Sequence, residues 1–166
     1  MPDNIFITSK IKRPRQTDQI LKEFDTLDAE VREFTNERGR IELTDITSEQ
    51  AKSLFGSNSR YVGESSFLVD FKYTLTDENN NEYKYRNRLG CISFNNNFPL
   101  YGISFLSERT GVERNETQED LQKFIKKMVE TISFRRSLFR AKDGIKTTPK
   151  LKIKVHKTTR NKKNKK

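Results

Sequence analysis

Apolar residues recur along this chain with two periods, and the switches between those periods lay out its elements. Ile20, Phe24, Leu27, Val31 and Phe34 fall three or four positions apart, one stripe of an α-helix over about 18–36 with Thr17 placed to cap it. Two heptads are too few for a coiled coil, so the stripe is expected to lie on a sheet. Ile41 and Leu43 alternate with polar neighbours, which predicts a short strand over 40–46. Thr47 and Gln50 then have the spacing of a capping box, opening a short helix that ends at Gly56, and 57–65 read as loop.

Phe67, Val69, Phe71, Tyr73 and Leu75 occupy every second position, the period of a strand with one buried face. Asp77-Glu78-Asn79-Asn80-Asn81 is the expected turn, and Tyr83 to Leu89 the returning strand. Cys91 to Phe94 continues it, Asn95-Asn96-Asn97 breaks it, and Leu100 to Leu106 forms another apolar strand after Pro99, giving an antiparallel meander. The helical period returns after Thr117-x-x-Asp120, a second capping box. Leu121, Phe124, Ile125, Met128, Val129 and Ile132 predict the sheet-facing side of a last long helix continuing through Phe139 or Ala141 and stopping before Gly144. Lys150-Leu151-Lys152-Ile153-Lys154-Val155-His156 alternates strictly, as an edge strand with one cationic face would.

These elements predict an α+β fold: an antiparallel sheet of about four to five strands with two long helices packed on one face. The core domain is expected over 17–144, after a basic extended arm over 1–16 and before a basic strand and disordered C-terminal tail over 145–166.

Charge adds what the periods do not. Of 33 Lys and Arg in 166 residues, fourteen lie in 135–166 beside a single acid, Asp143, while 1–134 hold 19 basic and 22 acidic side chains. A near-neutral body with a cationic end is suited to a polyanion, because neutralising phosphates releases condensed counterions without any reading of bases. The expected function is therefore non-enzymatic binding of nucleic acid, single-stranded or structured rather than duplex, since aromatic strands are present and no recognition helix is evident. Asn- and Lys-rich usage fits an AT-rich genome, viral or plasmid.

Candidate phosphate contacts begin on the last helix with Arg135, Arg136, Arg140 and Lys142. They continue through Lys146, Lys150, Lys152, Lys154, Lys157 and Arg160, with Lys12, Arg13 and Arg15 of the arm as a second small cluster. Tyr83-Lys84-Tyr85-Arg86-Asn87-Arg88 interleaves rings and cations, but alternation puts the tyrosines on one face and Lys84, Arg86 and Arg88 on the other. The plainer assignment gives the tyrosines to the core and the cations to solvent, where they would extend the groove begun by the tail. Cys91, Phe94, Phe98, Tyr101 and Phe105 read as core, with Phe98 at a loop tip the one to test for base stacking.

Other chemistry finds little support. Asp77-x-Asn79-x-Asn81 opens like a calcium loop, but Glu82 stands where Gly is needed and Arg88 where a bidentate Glu would close the site. The single histidine, His156, and single cysteine, Cys91, leave histidine triads and zinc sites without members. No catalytic residue, metal or cofactor is expected. One cysteine and no signal-like segment point to a reducing, cytoplasmic setting, nuclear in a eukaryotic host.

The rival function is an assembly or scaffolding protein, partnering another protein or itself, whose tail neutralises nucleic acid or an acidic surface. Membrane contact is not expected: Phe134, Leu138 and Phe139 among the arginines resemble an interfacial segment, a reading that fails if Phe134 and Leu138 are buried.

Overall fold

Residues 15–56, 59–96, 98–105 and 111–147 are described by the computed structural model of the chain. Helix α1 (Arg15–Phe34) leads into strand β1 (Gly39–Asp45), helix α2 (Ser48–Phe55) and a single 3-10 turn (Ser59–Tyr61). Strands β2 (Ser65–Thr76), β3 (Glu82–Phe94), β4 (Leu100–Ser104) and β5 (Glu113–Asn115) follow, then helices α3 (Gln118–Val129) and α4 (Ile132–Asp143). The fold is α+β, and the five strands form one antiparallel sheet in the order β1-β2-β3-β4-β5. The expected arm over 1–16 lies outside the described residues except at its end, where helix begins at Arg15 rather than 18.

The apolar stripe of α1 is buried at Ile20, Phe24, Leu27 and Val31. Asp28 ties the helix to the sheet, because its carboxylate accepts from the Ile41 backbone N–H at 2.7 Å and from Arg32 Nε at 2.7 Å. Both capping boxes form: Thr47 with Gln50, and Thr117 with Asp120. The β2–β3 hairpin closes on Asp77, whose carboxylate accepts from the backbone N–H groups of Asn79 and Asn81, the Asn81 amide and the Tyr83 hydroxyl. Those bonds spend the oxygens a cation would have used.

Alternation on β2 sends Val69, Phe71, Tyr73 and Leu75 into the main core with residues of α1, α3 and α4. Leu68 faces the other way, towards a second cluster built on Ala51 and Phe55 of α2 with Cys91 and Ile103. A register shift between Val69 and Asp70 inserts one extra residue in β3. It carries Cys91 to the α2 side while Ile92 and Phe94 remain in the main core.

One expectation is overturned here. The last helix is two helices, since α3 ends as the Glu130 backbone N–H bonds the Lys126 carbonyl at 2.9 Å and Thr131 begins α4 by accepting from the Phe134 backbone N–H at 3.2 Å. Ile132, expected on the buried face, is 71% exposed. The reason is phase: an unbroken helix would turn the arginines at 135 and 136 towards the core below Ile132. The break instead lets Phe134, Ser137 and Ala141 be buried, with Phe134 edge-on to Phe71 at 5.2 Å. Two smaller departures are β4, which ends at Ser104 rather than 106, and β5, which the apolar pattern does not announce.

Candidate nucleic-acid interface

Among the described residues, Gly90–Phe94 are the part of β3 that pairs with β4. From Glu82 to Arg88 its outer side therefore has no strand partner among the described residues, and α4, packed on the core face of the sheet, reaches this part of the strand. The Asn87 side-chain amide donates to the Ser137 hydroxyl, and the Arg140 guanidinium sits 5.5 Å over the Tyr85 ring. Between strand and helix lies a cleft of about 470 Å³ lined by Arg86, Asn87, Arg88, Ser133, Arg136, Ser137 and Arg140. Four arginines from segments about 50 residues apart in sequence line it, two from β3 and two from α4, and no carboxylate is among its described lining residues.

Such a concentration of like charge opposes folding unless it is compensated. Among the described residues, one of the four has a carboxylate partner. Arg88 Nε lies 3.8 Å from the buried Asp70, too far for a hydrogen bond, and Asp70 Oδ1 has no hydrogen-bond partner among the described residues. Arg86, Arg136 and Arg140 make no ion pair among those residues, nor do Lys84, Arg135, Lys142 and Lys146.

Thus of the cations singled out from sequence, Arg86, Arg88, Arg136 and Arg140 meet in one place. Arg135 is exposed on α4 but does not line the cleft. Lys142 lies over the Phe34 ring at 4.4 Å and Lys146 over the Tyr83 ring at 3.3 Å, so each is drawn to an aromatic face away from the four arginines. Lys84 is exposed on β3 and lines a neighbouring cleft. Lys12, Arg13, Lys150, Lys152, Lys154, Lys157 and Arg160 lie outside the described residues, as does the alternating segment 150–156.

The tyrosines divide as alternation requires. Tyr85 packs against the main core and stacks on Tyr73 at 5.1 Å, while Tyr83 is half-buried and hydrogen-bonded to Asp77. Phe94 and Cys91 are buried, and Phe98 is half-buried against the main core. Phe134 is buried and Leu138 half-buried against that same core, so neither is free to anchor in a lipid surface. No helix among the described residues is long and apolar enough to cross a membrane.

Sequence reasoning did not single out Arg40 and Lys72. Arg40 pairs across β1 with Lys72, which pairs across β2 with Arg86, so three cations stand side by side over three strands. Only the register shows this. Their neighbour Glu42 answers two of them, at 3.0 Å from Arg40 and 2.5 Å from Lys72, and the hydrogen bond from Lys72 holds its carboxyl below the usual carboxylate range. Comparison with protein-family models, curated proteins and solved structures gives no match.

Proposed function

We propose that this chain is a non-enzymatic nucleic-acid-binding protein that holds single-stranded or structured nucleic acid by its phosphates. The observation that carries this reading is the cleft lined by Arg86, Arg88, Arg136 and Arg140, with no carboxylate among its described lining residues. A guanidinium offers paired donors suited to phosphate oxygens, and each phosphate neutralised releases counterions. In this reading α1 and the α3–α4 pair back one face of the sheet, and the basic segment beyond residue 147 is a second hold on the same polymer in the cytoplasm or nucleus.

The test is fluorescence anisotropy of the full chain with labelled oligo(dT), oligo(U) and a mixed-sequence duplex over a salt series. For single strands the log-log slope is expected near −0.7 per phosphate contacted, and Arg136→Ala with Arg140→Ala should make it shallower by about 1.4. Binding that ignores both this pair and Arg86→Ala with Arg88→Ala would remove the cleft from the reading.

A second reading, an assembly or scaffolding protein, draws on exposed apolar side chains at either end of α4, Ile132 at 71% and Ile145 at 62%. Concentration-dependent sedimentation that Ile132→Ser abolishes, without any nucleic-acid binding, would favour it.

A further inference from the structure

We infer that the polymer's phosphate backbone crosses the sheet along the row Arg40, Lys72, Arg86 and rounds the free edge of β3 into the arginine cleft, with Glu42 occupying part of that track until nucleic acid displaces it. This rests on the nucleic-acid reading above and adds to it a path, a strand preference and a built-in competitor.

Like charges directly opposite on neighbouring strands are destabilising, yet Arg40, Lys72 and Arg86 are aligned across β1, β2 and β3 on the face away from the main core. A second cleft, of about 510 Å³, borders this row; Arg40, Lys72, Lys84 and Arg86 line it together with Arg32, Arg38 and Glu37, whose carboxylate is ion-paired to Arg32 at 3.4 Å. Arg86 lines both clefts, so the sheet face and the edge groove are continuous through one side chain.

Neighbouring strands lie about 4.8 Å apart and alternate residues of one strand about 6.6 Å apart. Flexible cations on such a lattice can each meet a successive phosphate of one extended strand, whose phosphates are a few ångströms further apart than stacked bases. A duplex presents its two backbones across grooves and would reach only part of a track that bends around a sheet edge. Single strands are therefore preferred.

Glu42 stands on the same face, one alternate position from Arg40, with a carboxylate on both Arg40 and Lys72. It takes the place a phosphate would take, leaving Arg86 as the cation of the row without a counter-charge among the described residues. Binding must break those two partly buried ion pairs, so their loss in advance should strengthen it.

The experiment measures anisotropy of full-length Glu42→Gln, Arg40→Ala with Lys72→Gln, Arg136→Ala with Arg140→Ala, and a charge-matched control, Glu130→Gln, which alters a carboxylate on α3's end. Probes are labelled oligo(dT), oligo(U) and the duplex, which separate DNA from RNA and single from double strands. Glu42→Gln should tighten single-strand binding by about two- to fivefold, the equivalent of one weak ion pair, and steepen the salt slope. The Arg40/Lys72 variant should weaken it and make the slope shallower by about 1.4. Equal effects of Glu42→Gln and Glu130→Gln, or an Arg40/Lys72 variant that binds like the parent, would overturn the track. The function itself would survive that result if the Arg136/Arg140 variant still loses affinity, and would fall with it if that variant also binds normally. Thermal melts of every variant confirm folding, and Glu42→Gln, which gains affinity, cannot be explained by unfolding.

Discussion

Asp77 shows how much one side chain can organise. Its carboxylate accepts from the Asn81 amide, the Asn81 and Asn79 backbone N–H groups and the Tyr83 hydroxyl, and these bonds, that of the Asn81 side chain foremost, pull its pKa from 3.8 to about 2. A carboxyl more acidic in the folded chain stabilises it fully above pH 3.8, and the contribution disappears as pH falls through about 2. Asp120, tied to the backbone N–H of Glu116 and the Thr117 cap, is also held low and acts in the same direction. Asp77→Asn should therefore lower the melting midpoint at pH 7 by a few degrees and flatten its decline between about pH 4 and 2, followed by circular dichroism. Parallel curves for the two proteins would mean the hairpin does not depend on this hub. Cys91 offers a complementary probe. Burial pushes its thiol up to about 12 and leaves it no accessible surface, so a thiol reagent should modify it only as fast as the chain unfolds. Rapid labelling of the native protein would contradict the packing of α2 over that face.

At the scale of elements, the strands of the hairpin and both capping boxes were legible because each rests on a local rule. The division between α3 and α4 was not, since Ile132 continues the α3 period and Thr131 resembles an ordinary interior residue. The signal that could have found it is the phase shift: beyond Ile132, Phe134 and Leu138 are offset from the earlier stripe. Strand β5 was invisible because Glu113, Arg114 and Asn115 carry no apolar alternation, and its buried member, Asn115, instead donates to the Leu100 carbonyl at 3.4 Å. If the Thr131 cap creates the break, Thr131→Ala should cost about 1 kcal/mol in urea unfolding, with a matching loss of oligonucleotide affinity as α4 shifts its arginines. Gly102 tests the neighbouring layer. A Cβ there would stand 2.5 Å from the Phe124 ring, so Gly102→Ala should destabilise by about 1–3 kcal/mol, and a neutral result would mean α3 does not lie on β4 as closely as this distance implies.

At the scale of the whole molecule, the cationic excess was readable by counting, but where it concentrates was not. Bringing Arg86, Arg88, Arg136 and Arg140 to one cleft requires β3 to outrun β4 among the described residues and α4 to start a fresh helical phase at Thr131. Neither is local in sequence. Arg88 faces the buried Asp70, but Arg86, Arg136 and Arg140 line the same cleft with no ion pair among the described residues, so the cleft should be a place where stability and binding pull in opposite directions. Arg136 is the clean residue for this, because Arg140 also lies over Tyr85 whereas Arg136 has no ring or ion-pair partner among the described residues. Arg136→Gln removes one charge from the repelling group and keeps the helix propensity of the site. It should stabilise the free protein by about 0.3–0.5 kcal/mol at low ionic strength, an advantage that fades as added salt screens the parent's repulsion. The same change should weaken oligonucleotide binding and make its salt slope shallower by about 0.7. A variant less stable than the parent at low salt, or one that binds equally well, would mean these guanidiniums are already balanced by neighbours, and the cleft would lose its standing as a waiting phosphate site.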